Sequence, residues 1–263
     1  MTTQDPERTR LQYPTRDLRT QAANFLALHY EGPVLTLPNA WDAESAHLIE
    51  ASGALAIATT SAAIAQSRGH QDGEDMPVDV ALAALAEITA AVTVPVTADL
   101  EAGYGDAFTT VRRAVGMGIV GANIEDQLWP LGRSVALMEE ALAGADAEGV
   151  DLVLNARTDV YLKAGIAPEE RFDEAVARGR AYLTSGAACV FVPGLTDLDT
   201  VAALVRELGW RKVTVLGTVD GPHPHVWGDM GVARVSYGPA VYRTPADDRA
   251  ALVTRLVADE QLR

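Results

Sequence analysis

Eight short apolar runs recur along the chain, and a longer polar or amphipathic stretch separates each run from the next. The β-prone runs lie at 34–40, 54–61, 94–100, 120–126, 151–158, 188–194, 212–218 and 233–238. Most stretches between them have apolar residues at helical spacing and end on glycine, as many helices do. Apolar strands that alternate with helices indicate a covered parallel sheet, and eight such units predict a (β/α)8 TIM barrel. An open, doubly wound sheet is the alternative.

A lead-in segment precedes this pattern. Residues 17–32 have apolar positions at helical spacing and end at Gly32, which predicts an N-terminal lead-in helix. No low-complexity linker interrupts the units, so residues 1–263 are expected to form a single α/β barrel domain, with residues 1–14 flexible. Because 48% of the 263 residues are hydrophobic, the chain can bury one large core.

The charge balance argues against two classes of partner. A formal net charge of −15 would repel phosphate backbones and anionic lipid, so we expect neither nucleic-acid nor membrane binding. No stretch approaches the ~20 apolar residues of a membrane helix, and the polar N-terminus lacks a signal-peptide core. We therefore expect a soluble cytoplasmic protein. Its one cysteine, Cys189, lies inside an apolar run, which favours a buried, inert thiol.

Polar residues that could take part in binding or catalysis cluster where the runs end. In a barrel of this type the loops after the strands converge on one mouth, whereas the strand starts lie at the opposite end. Residues at or just after the run ends are Asn39, Trp41, Asp42, Thr60, Ser61, Asp99, Glu101, Glu125, Asp126, Arg157 and Asp159. The starts carry little that could do chemistry, so the mouth is the expected site.

Three carboxylates in this set predict a metal ion. Asp99 and Glu101 are two residues apart and would share a face of one strand, and Glu125 on the next strand can join them. Without a cation, desolvation and mutual repulsion in a partly dry cavity would cost several kcal/mol per ion. Donors that are all oxygen favour Mg²⁺ or Mn²⁺ over Zn²⁺. The alternative is that these acids cap the next helix, a role for which Asp106 is better placed.

Arg157 supplies the opposite charge. An arginine at a strand end can hold a carboxylate through two hydrogen bonds, and together with a metal ion it would bind a small dianion. The alternative is an ion pair at the rim with Asp159 or Glu125. Trp41 is expected to form a wall of the pocket, and Asp42 to cap the helix that follows it.

Four segments, in this order and spacing, resemble the isocitrate lyase and phosphoenolpyruvate mutase superfamily. They are TSAAIAQSRGHQDGE (60–74), ADLEAGYGD (98–106), GANIEDQLWP (121–130) and LNARTDVYL (154–162). The resemblance covers about residues 34–240 and implies a Mg²⁺-dependent α/β barrel. It also implies action on 2-oxo or 2-hydroxy carboxylates through an enolate of the pyruvate type, and a homo-oligomer, a dimer or a tetramer whose last helices swap between barrels.

Matched by position, the resemblance assigns a role to each acid. Asp99 corresponds to the main metal-binding aspartate of the superfamily. Glu101 and Glu125 correspond to acids that hold metal-bound waters, and Asp72 to a further acid of that water shell. Glu101 stands where the best-known members have aspartate, and a contact through water can absorb its additional methylene.

The resemblance also assigns the substrate contacts. Thr60, Ser61 and Ala62 would bind the substrate carboxylate through hydroxyl and backbone N–H groups, and Arg157 would be its clamp. Trp41 completes the substrate-binding set expected at this mouth.

Two departures narrow the expected activity. Lyases of the superfamily carry a Lys-Lys-Cys-Gly-His loop after the fourth-strand acid, in which the cysteine protonates the departing carbanion. Residues 127–135 read QLWPLGRSV here, and the one cysteine lies in the sixth run, so the usual cleavage of isocitrate or methylisocitrate is not expected. Mutases carry a lysine and an asparagine in that loop, and Leu131 stands in place of the lysine. This replacement also argues against phosphonomutase or phosphonopyruvate hydrolase activity.

The chemistry that needs only the shared residues is loss of a C3 substituent from a 2-oxo acid. The sequence therefore predicts a Mg²⁺-dependent lyase or decarboxylase of a small 2-oxo or 2-hydroxy dicarboxylate, similar to an oxaloacetate decarboxylase. Arg157 and Glu125 are expected to be catalytic, with Tyr237, His223 or His225 as the proton donor. Packing of a proline-rich loop is the alternative role for the histidines.

Two further functions stay open. One is phosphorus–carbon chemistry, as in phosphoenolpyruvate or carboxyphosphonoenolpyruvate mutases and phosphonopyruvate hydrolases. The other is a barrel that binds a carboxylate metabolite without turning it over, because the cysteine and the lysine of the superfamily's mobile loop are both replaced here.

Overall fold

Parallel strands alternate with helices along residues 17–258, the part of the chain that this computed structural model describes. The strands are β1 (Leu35–Leu37), β2 (Asn39–Ala40), β3 (Ile57–Thr59), β4 (Val96–Asp99), β5 (Gly121–Glu125), β6 (Val153–Arg157), β7 (Cys189–Phe191), β8 (Val213–Leu216) and β9 (Val232–Ser236). Their order in the one sheet they form is β1-β9-β8-β7-β6-β5-β4-β3-β2. Because β1 and β2 belong to one stretch of chain, the sheet nearly closes, and the predicted TIM barrel is confirmed.

The first predicted strand differs from the expectation in one respect. Residues 34–40 form two short strands, β1 and β2, on either side of Pro38. Proline has no N–H to donate to a ladder, so the pairing changes partner at this residue. Strand β1 pairs with β9, with Leu35 opposite Arg234, whereas β2 pairs with β3. The described residues therefore contain nine strands where eight runs were predicted.

Helices cover the outer face of the barrel and, at one end, its interior. They are α1 (Leu18–Tyr30), α2 (Ala43–Ala51), α3 (Ser61–Ser67), α4 (Val78–Ala91), α5 (Ala107–Gly116), α6 (Leu131–Asp146), α7 (Arg171–Thr184), α8 (Leu198–Leu208), α9 (Pro224–Asp229), α10 (Ala240–Arg243) and α11 (Ala246–Val257). A 3₁₀ helix, Pro168–Glu170, precedes α7. The lead-in helix is α1, as predicted, whereas the flexibility expected for residues 1–14 concerns residues outside the described range.

Two aspartates begin helices as expected. The Ser45 backbone N–H donates to Asp42 Oδ1 at 2.8 Å at the start of α2, and the Thr109 N–H donates to Asp106 Oδ1 at 2.9 Å at the start of α5. These bonds satisfy N–H groups that have no partner inside the helix. Asp106 thus does the capping after β4, and the acids before it are left for other roles.

The barrel interior is closed at the end opposite the mouth. Phe25 of α1 is fully buried there, and a Cβ placed on Gly121 would lie 2.6 Å from its ring, so only glycine fits. Above it, Asn155 Nδ2 donates to Asn123 Oδ1 at 2.9 Å, and Thr214 Oγ1 donates to Asn155 Oδ1 at 2.8 Å. The inner strand faces are thus occupied by packed and hydrogen-bonded side chains, which leaves the mouth as the accessible end.

Two further expectations bear on the barrel as a whole. Cys189 is buried, and burial raises the pKa of its thiol to about 12, which makes it unreactive as predicted. None of the helices within residues 17–258 is both long enough and apolar enough to cross a membrane.

Candidate active site

Asp99 is the last residue of β4 and is held at the mouth by β3 and α3. The Ser61 hydroxyl and backbone N–H donate to Asp99 Oδ2 at 3.0 and 3.3 Å, and the Asp99 N–H donates to Thr59 Oγ1 at 3.0 Å. Burial raises the pKa of this carboxyl, the nearby charge of Arg157 lowers it, and that of Asp72 raises it. The net shift is upward, so the hydrogen bonds and Arg157 do not fully offset burial of the charge.

Glu101 reaches the same mouth by a different route from the one predicted. Strand β4 ends at Asp99, so the alternation of side chains along a strand does not extend to Glu101, and that part of the sequence argument was wrong. Glu101 lies instead in a turn with a φ of +51°, where its carbonyl accepts from the Glu125 N–H at 2.8 Å. The Tyr104 hydroxyl donates to Glu101 Oε1 at 2.9 Å. Gly103 closes the turn, since a Cβ on it would lie 2.7 Å from that of Ala107.

The loop after α3 braces this turn through a residue that the sequence argument missed. Glu74 Oε1 accepts from the backbone N–H groups of Ala102 and Tyr104, at 3.1 and 2.6 Å. Asp72, the acid that was predicted, is exposed, and its charge reaches the site by raising the pKa of Glu101. The signal for Glu74 was its place in the same acidic loop, two residues after Asp72.

Glu125 and Arg157 are register partners at the ends of β5 and β6, so their side chains lie on the same face of the sheet at the mouth. Arg157 Nη1 lies 2.7 Å from Glu125 Oε2, and its Nε donates to Asp159 Oδ1 at 2.7 Å. Arg157 therefore makes both of the ion pairs that the sequence left open as an alternative to a substrate clamp. These pairs hold the guanidinium in a fixed position beside Asp99, whose charge also acts on it.

Lys163 and Gln127 complete this cluster, and the sequence argument missed both. Lys163 Nζ lies 2.9 Å from Asp159 Oδ2 and 3.7 Å from Glu125 Oε1. Gln127 donates through Nε2 to Glu125 Oε1 and accepts through Oε1 from Lys163 Nζ. The position of Lys163 could not be read from the strand ends, because it lies six residues beyond β6 and reaches back across the mouth, whereas Gln127 lies only two residues after β5.

A buried network fixes the loop after β5. Asp126 is fully buried, and its Oδ2 accepts from Arg178 Nη1 at 3.0 Å and from the Tyr182 hydroxyl at 2.8 Å, both on α7. Its Oδ1 accepts from the backbone N–H groups of Leu128 and Asp159, at 3.0 and 3.2 Å. Asp126 thus joins the loops after β5 and β6, which carry Gln127, Asp159 and Lys163.

Strained backbone concentrates around the same loops. Six residues other than glycine have a positive φ within the described range: Glu74, Glu101, Tyr104, Gln127, Leu128 and Arg211. Five of them lie in the loops after α3, β4 and β5. Such conformations cost about 1–3 kcal/mol each and persist where the surroundings impose them, most often at functional sites. Their grouping marks the mouth beside β4 and β5 independently of any charge.

Burial and like charge raise the pKa of the other two acids. Burial, then the charge of Asp99, raises the pKa of Glu101 to about 7. Burial raises the pKa of Glu125 to about 8, with Arg157 opposing and Asp159 adding to the shift. For Arg157 burial lowers the pKa, but the charges of Glu125, Asp99 and Asp159 outweigh it and the net shift is upward. When all are ionised, the four acids Asp99, Glu101, Glu125 and Asp159 outnumber the two cations, Arg157 and Lys163, and repulsion between the acids adds to the effect of burial on Glu101 and Glu125.

The donor set fits a hard divalent cation held by few direct ligands. Within residues 17–258, no three His, Cys, Asp or Glu side chains are close enough to ligate one ion together. Asp99 accepts hydrogen bonds only on Oδ2 among the contacts described above, and every nearby acid offers oxygen. Mg²⁺ commonly keeps several waters and takes one or two protein carboxylates. The residues here fit this preference if Asp99 is a direct ligand and Glu101 and Glu125 act through water.

The remaining substrate-binding candidates lie around this cluster at different depths. Thr60 precedes the first turn of α3, with Ser61 and Ala62 inside it, and Ser61 already donates to Asp99. Trp41 is buried, with its ring 5.1 Å from that of Tyr242 and 5.0 Å from the guanidinium of Arg249. Its indole therefore packs against α10 and α11.

His223 and Tyr237 lie on another side of the mouth. They line one depression of about 300 Å³ with Arg255 and Leu256 from α11. His223 is exposed, and its Nδ1 lies 2.8 Å from Nδ1 of His225. Tyr237 is buried, and its backbone N–H donates to Asn39 Oδ1 at 2.9 Å.

Related proteins share most of this chain. An uncharacterised protein of Mycobacterium tuberculosis is 34% identical over 246 residues, 91% of each chain. The 2,3-dimethylmalate lyase of Eubacterium barkeri is 31% identical over 240 residues, which cover 85% of this chain and 80% of the lyase.

A solved structure and a family description agree with these relatives. A crystal structure from Burkholderia cenocepacia J2315 superposes with a TM-score of 0.81 at 36% identity, covering 90% of this chain and 98% of that one. The sequence profile of the family described as phosphoenolpyruvate phosphomutase matches residues 25–256. With its barrel, its strand-end acids and its arginine, this chain belongs to the phosphoenolpyruvate phosphomutase family, within the isocitrate lyase and phosphoenolpyruvate mutase superfamily.

Proposed function

We propose that this protein is a Mg²⁺-dependent carbon–carbon lyase or decarboxylase of a small 2-oxo or 2-hydroxy dicarboxylate. The observation that carries the proposal is the position of Arg157, fixed by Glu125 and Asp159 beside the mostly buried Asp99. A cation held next to a candidate metal ligand is what a short, doubly charged acid requires. Membership of a family of lyases and mutases supports an enzyme, and the identity of the metal and of the substrate is part of the proposal.

The chain's own residues would do most of the work. Arg157 donates two parallel hydrogen bonds to the carboxylate next to the 2-oxo group and thereby orients the substrate. The Thr60 hydroxyl and the Ala62 backbone N–H would contact the same end of the molecule, whereas Ser61, whose hydroxyl and N–H both donate to Asp99, would hold that acid in place. Bound at Asp99, a divalent cation supplies positive charge that stabilises the negative charge developing on the 2-oxo oxygen.

Protonation of the product enolate at C3 needs a further residue. Of the three candidates, Tyr237, His223 and His225, we propose Tyr237, because it is buried and directly follows the last residue of β9, where a phenol is shielded from water. His223 is exposed and pairs with His225, which makes it the weaker candidate.

The test is release of pyruvate from oxaloacetate and from substituted malates, with Mg²⁺ and with EDTA. Release that stops in EDTA and returns with Mg²⁺ supports the proposal. Turnover that does not depend on a metal contradicts it. Magnesium-dependent binding of oxalate with no turnover of any of these acids would support instead a barrel that binds a carboxylate without catalysis.

Phosphorus–carbon chemistry is the second candidate, and one contact favours it. A lysine is missing from the loop after β5, but Lys163 reaches Glu125 from the loop after β6, so a lysine is present in the site after all. ³¹P NMR of phosphonopyruvate and phosphoenolpyruvate incubated with the protein and Mg²⁺ decides between the candidates. An unchanged spectrum in both cases discards mutase and phosphonopyruvate hydrolase activity.

The proposal includes a cytoplasmic homo-oligomer of two or four chains. Light scattering coupled to size-exclusion chromatography measures this number directly. A monomer of 27.9 kDa would contradict that part of the proposal and leave the chemistry unaffected.

A further inference from the structure

One of the two lysines in this chain lies in the candidate site. The chain carries 21 lysine and arginine residues, and all but Lys163 and Lys212 are arginine. Lysine presents a compact charge with freely rotating donors, whereas arginine presents a rigid fork. In a chain that uses arginine almost everywhere, a lysine at the mouth of the barrel calls for an explanation from its contacts.

Those contacts form a ring of alternating charge. Glu125 and Asp159 each touch both Arg157 and Lys163, at N–O distances of 2.7 to 3.7 Å. Gln127 spans the ring by donating to Glu125 and accepting from Lys163. Its φ of +52° shows that the turn after β5 is held in an unfavourable conformation that brings this amide to the ring. The two cations are therefore positioned by the protein itself.

The cations lie at different depths. The exposed fraction of the side chain is 38% for Lys163, 17% for Arg157, 8% for Glu125 and zero for Asp159. Arg157 is the inner cation, within reach of the charge of Asp99, and Lys163 is the outer one. An acid that enters from solvent meets Lys163 first, and a molecule with an acidic group at each end can contact both.

We propose that Lys163, held by Gln127 and Asp159, binds the acidic group on C3 of the substrate and thereby makes the site selective for diacids over monoacids. The inference rests on the proposed function, in which Arg157 takes the carboxylate next to the 2-oxo group. The ammonium can turn from Asp159 to a ligand without uncovering a buried charge, because Arg157 still pairs with that acid.

The inference predicts a particular kinetic signature for decarboxylation. A carboxylate that leaves as CO₂ loses its charge, so its contact with Lys163 is stronger in the ground state than in the transition state. Lys163→Met is therefore expected to raise the KM for oxaloacetate about ten-fold and to leave kcat unchanged or higher. Loss of kcat at constant KM would overturn the proposal, as would a variant with both values unchanged.

Binding of a matched pair of acids tests the contact without turnover. Malate and lactate share the 2-hydroxy acid end, and only malate has a second carboxylate on C3. By titration calorimetry in Mg²⁺, Lys163→Met should weaken malate binding at least ten-fold and change lactate binding less than two-fold. Lys212→Met, at the other lysine, should change neither. An equal loss for both acids would show a structural role and overturn the proposal, as would no loss for either.

The two lysines also allow a chemical test. Acetylation of both amines can be followed by peptide mass spectrometry, with Lys212 as the internal reference. Malate should slow acetylation of Lys163 several-fold, whereas lactate should not. Protection by both acids or by neither contradicts the inference.

Failure of the proposed function gives a different result. A wild-type protein that binds none of oxalate, malate and lactate in Mg²⁺ overturns the proposed function, and this inference with it. If the wild-type protein binds oxalate, but Lys163→Met does not weaken malate binding more than lactate binding, the inference alone is overturned.

Discussion

The mouth of the barrel has two unlike sides. The acidic side, at the ends of β4 to β6, comprises Asp99, Glu101, Glu125, Arg157, Asp159 and Lys163, which are tied together by ion pairs and strained turns. The histidine side, at the ends of β8 and β9, comprises His223, His225 and Tyr237, and it faces α11. On the acidic side burial raises the pKa of Glu101 to about 7 and that of Glu125 to about 8, whereas the three residues of the histidine side include no carboxylate. The difference supports our proposal that the substrate binds on the acidic side and that the histidine side contributes at most a proton.

The largest expected effect is loss of the inner cation. Arg157→Met removes the substrate clamp and leaves Glu125 and Asp159 with Lys163 alone. We expect kcat/KM to fall about 10³-fold and the unfolding free energy to fall by about 3 kcal/mol. Steady-state kinetics and urea unfolding measure the two effects. Arg133→Met, which removes an arginine stacked on Trp129, is the control and should retain activity. Full activity in Arg157→Met would show that catalysis does not depend on the cation of the acidic side.

The metal site should depend on one acid above all. Asp99→Asn is expected to lower the affinity for Mn²⁺, used as a probe, by about 100-fold. Residues that only orient a metal ligand contribute about 10- to 100-fold to affinity, so a direct ligand should reach the upper value. Electron paramagnetic resonance of free Mn²⁺ measures the affinity. Asp106→Asn is the matched control, because Asp106 lies seven residues away and caps α5. Equal Mn²⁺ affinity in the wild type and in Asp99→Asn would contradict the metal assignment.

A phenol on the histidine side is the proposed proton donor. Tyr237→Phe should lower kcat by about 100-fold with little change in KM, since a general acid acts in the transition state. The assay must follow protonated pyruvate, because the enolate can still form in the variant. Unchanged kcat would mean that the acidic side performs the whole reaction and that Tyr237 on the histidine side takes no part in it.

Stability without metal should depend on pH in a direction opposite to that of ordinary surface acids. Glu101 and Glu125 have folded pKa values of about 7 and about 8, above the ordinary 4.5. Both are protonated in either state below about pH 4.5, so their contribution to stability is full there and is lost as the pH rises through 7 and 8. Urea unfolding in EDTA at pH 5, 6.5 and 8 should show this fall, and Glu125→Gln should reduce it. A rise in stability over this range in the wild type would contradict the shifts.

The smallest effect is expected at the exposed histidine. His223→Asn removes a side chain that pairs with His225 outside the acidic side. We expect a change in kcat/KM of less than about two-fold, in line with the small effect of most surface substitutions. A loss of ten-fold or more would identify His223 as the proton donor and reverse the order of Tyr237 and His223.

The fold was predictable from the sequence because its signal is periodic and repeated. Each apolar run must be covered on both faces, and a helix follows nearly every one, so eight weak local signals support one architecture. The break at Pro38 was missed because the run 34–40 has the composition of one strand. Its consequence, a change of pairing partner from β9 to β3, depends on where the sheet closes.

The site was predictable in part. Asp99, Glu125 and Arg157 could be found because strand ends of a parallel barrel lie at one end, and β5 and β6 bring Glu125 and Arg157 into register. Glu101 was expected on the strand, and it comes instead from a left-handed turn held by Tyr104 and Glu74. That turn depends on contacts between separate loops, which no local pattern specifies.

What the sequence determined by itself was the barrel, its open end and the sign of the charges there, because apolar periodicity and the polarity of strand ends act through neighbouring residues. Only the tertiary structure decided how those charges are paired. Lys163 and Gln127 meet Glu125 from loops 36 residues apart, and Asp126 anchors both loops to α7. Such contacts arise when distant segments pack against each other, and their geometry is set by the closed barrel as a whole.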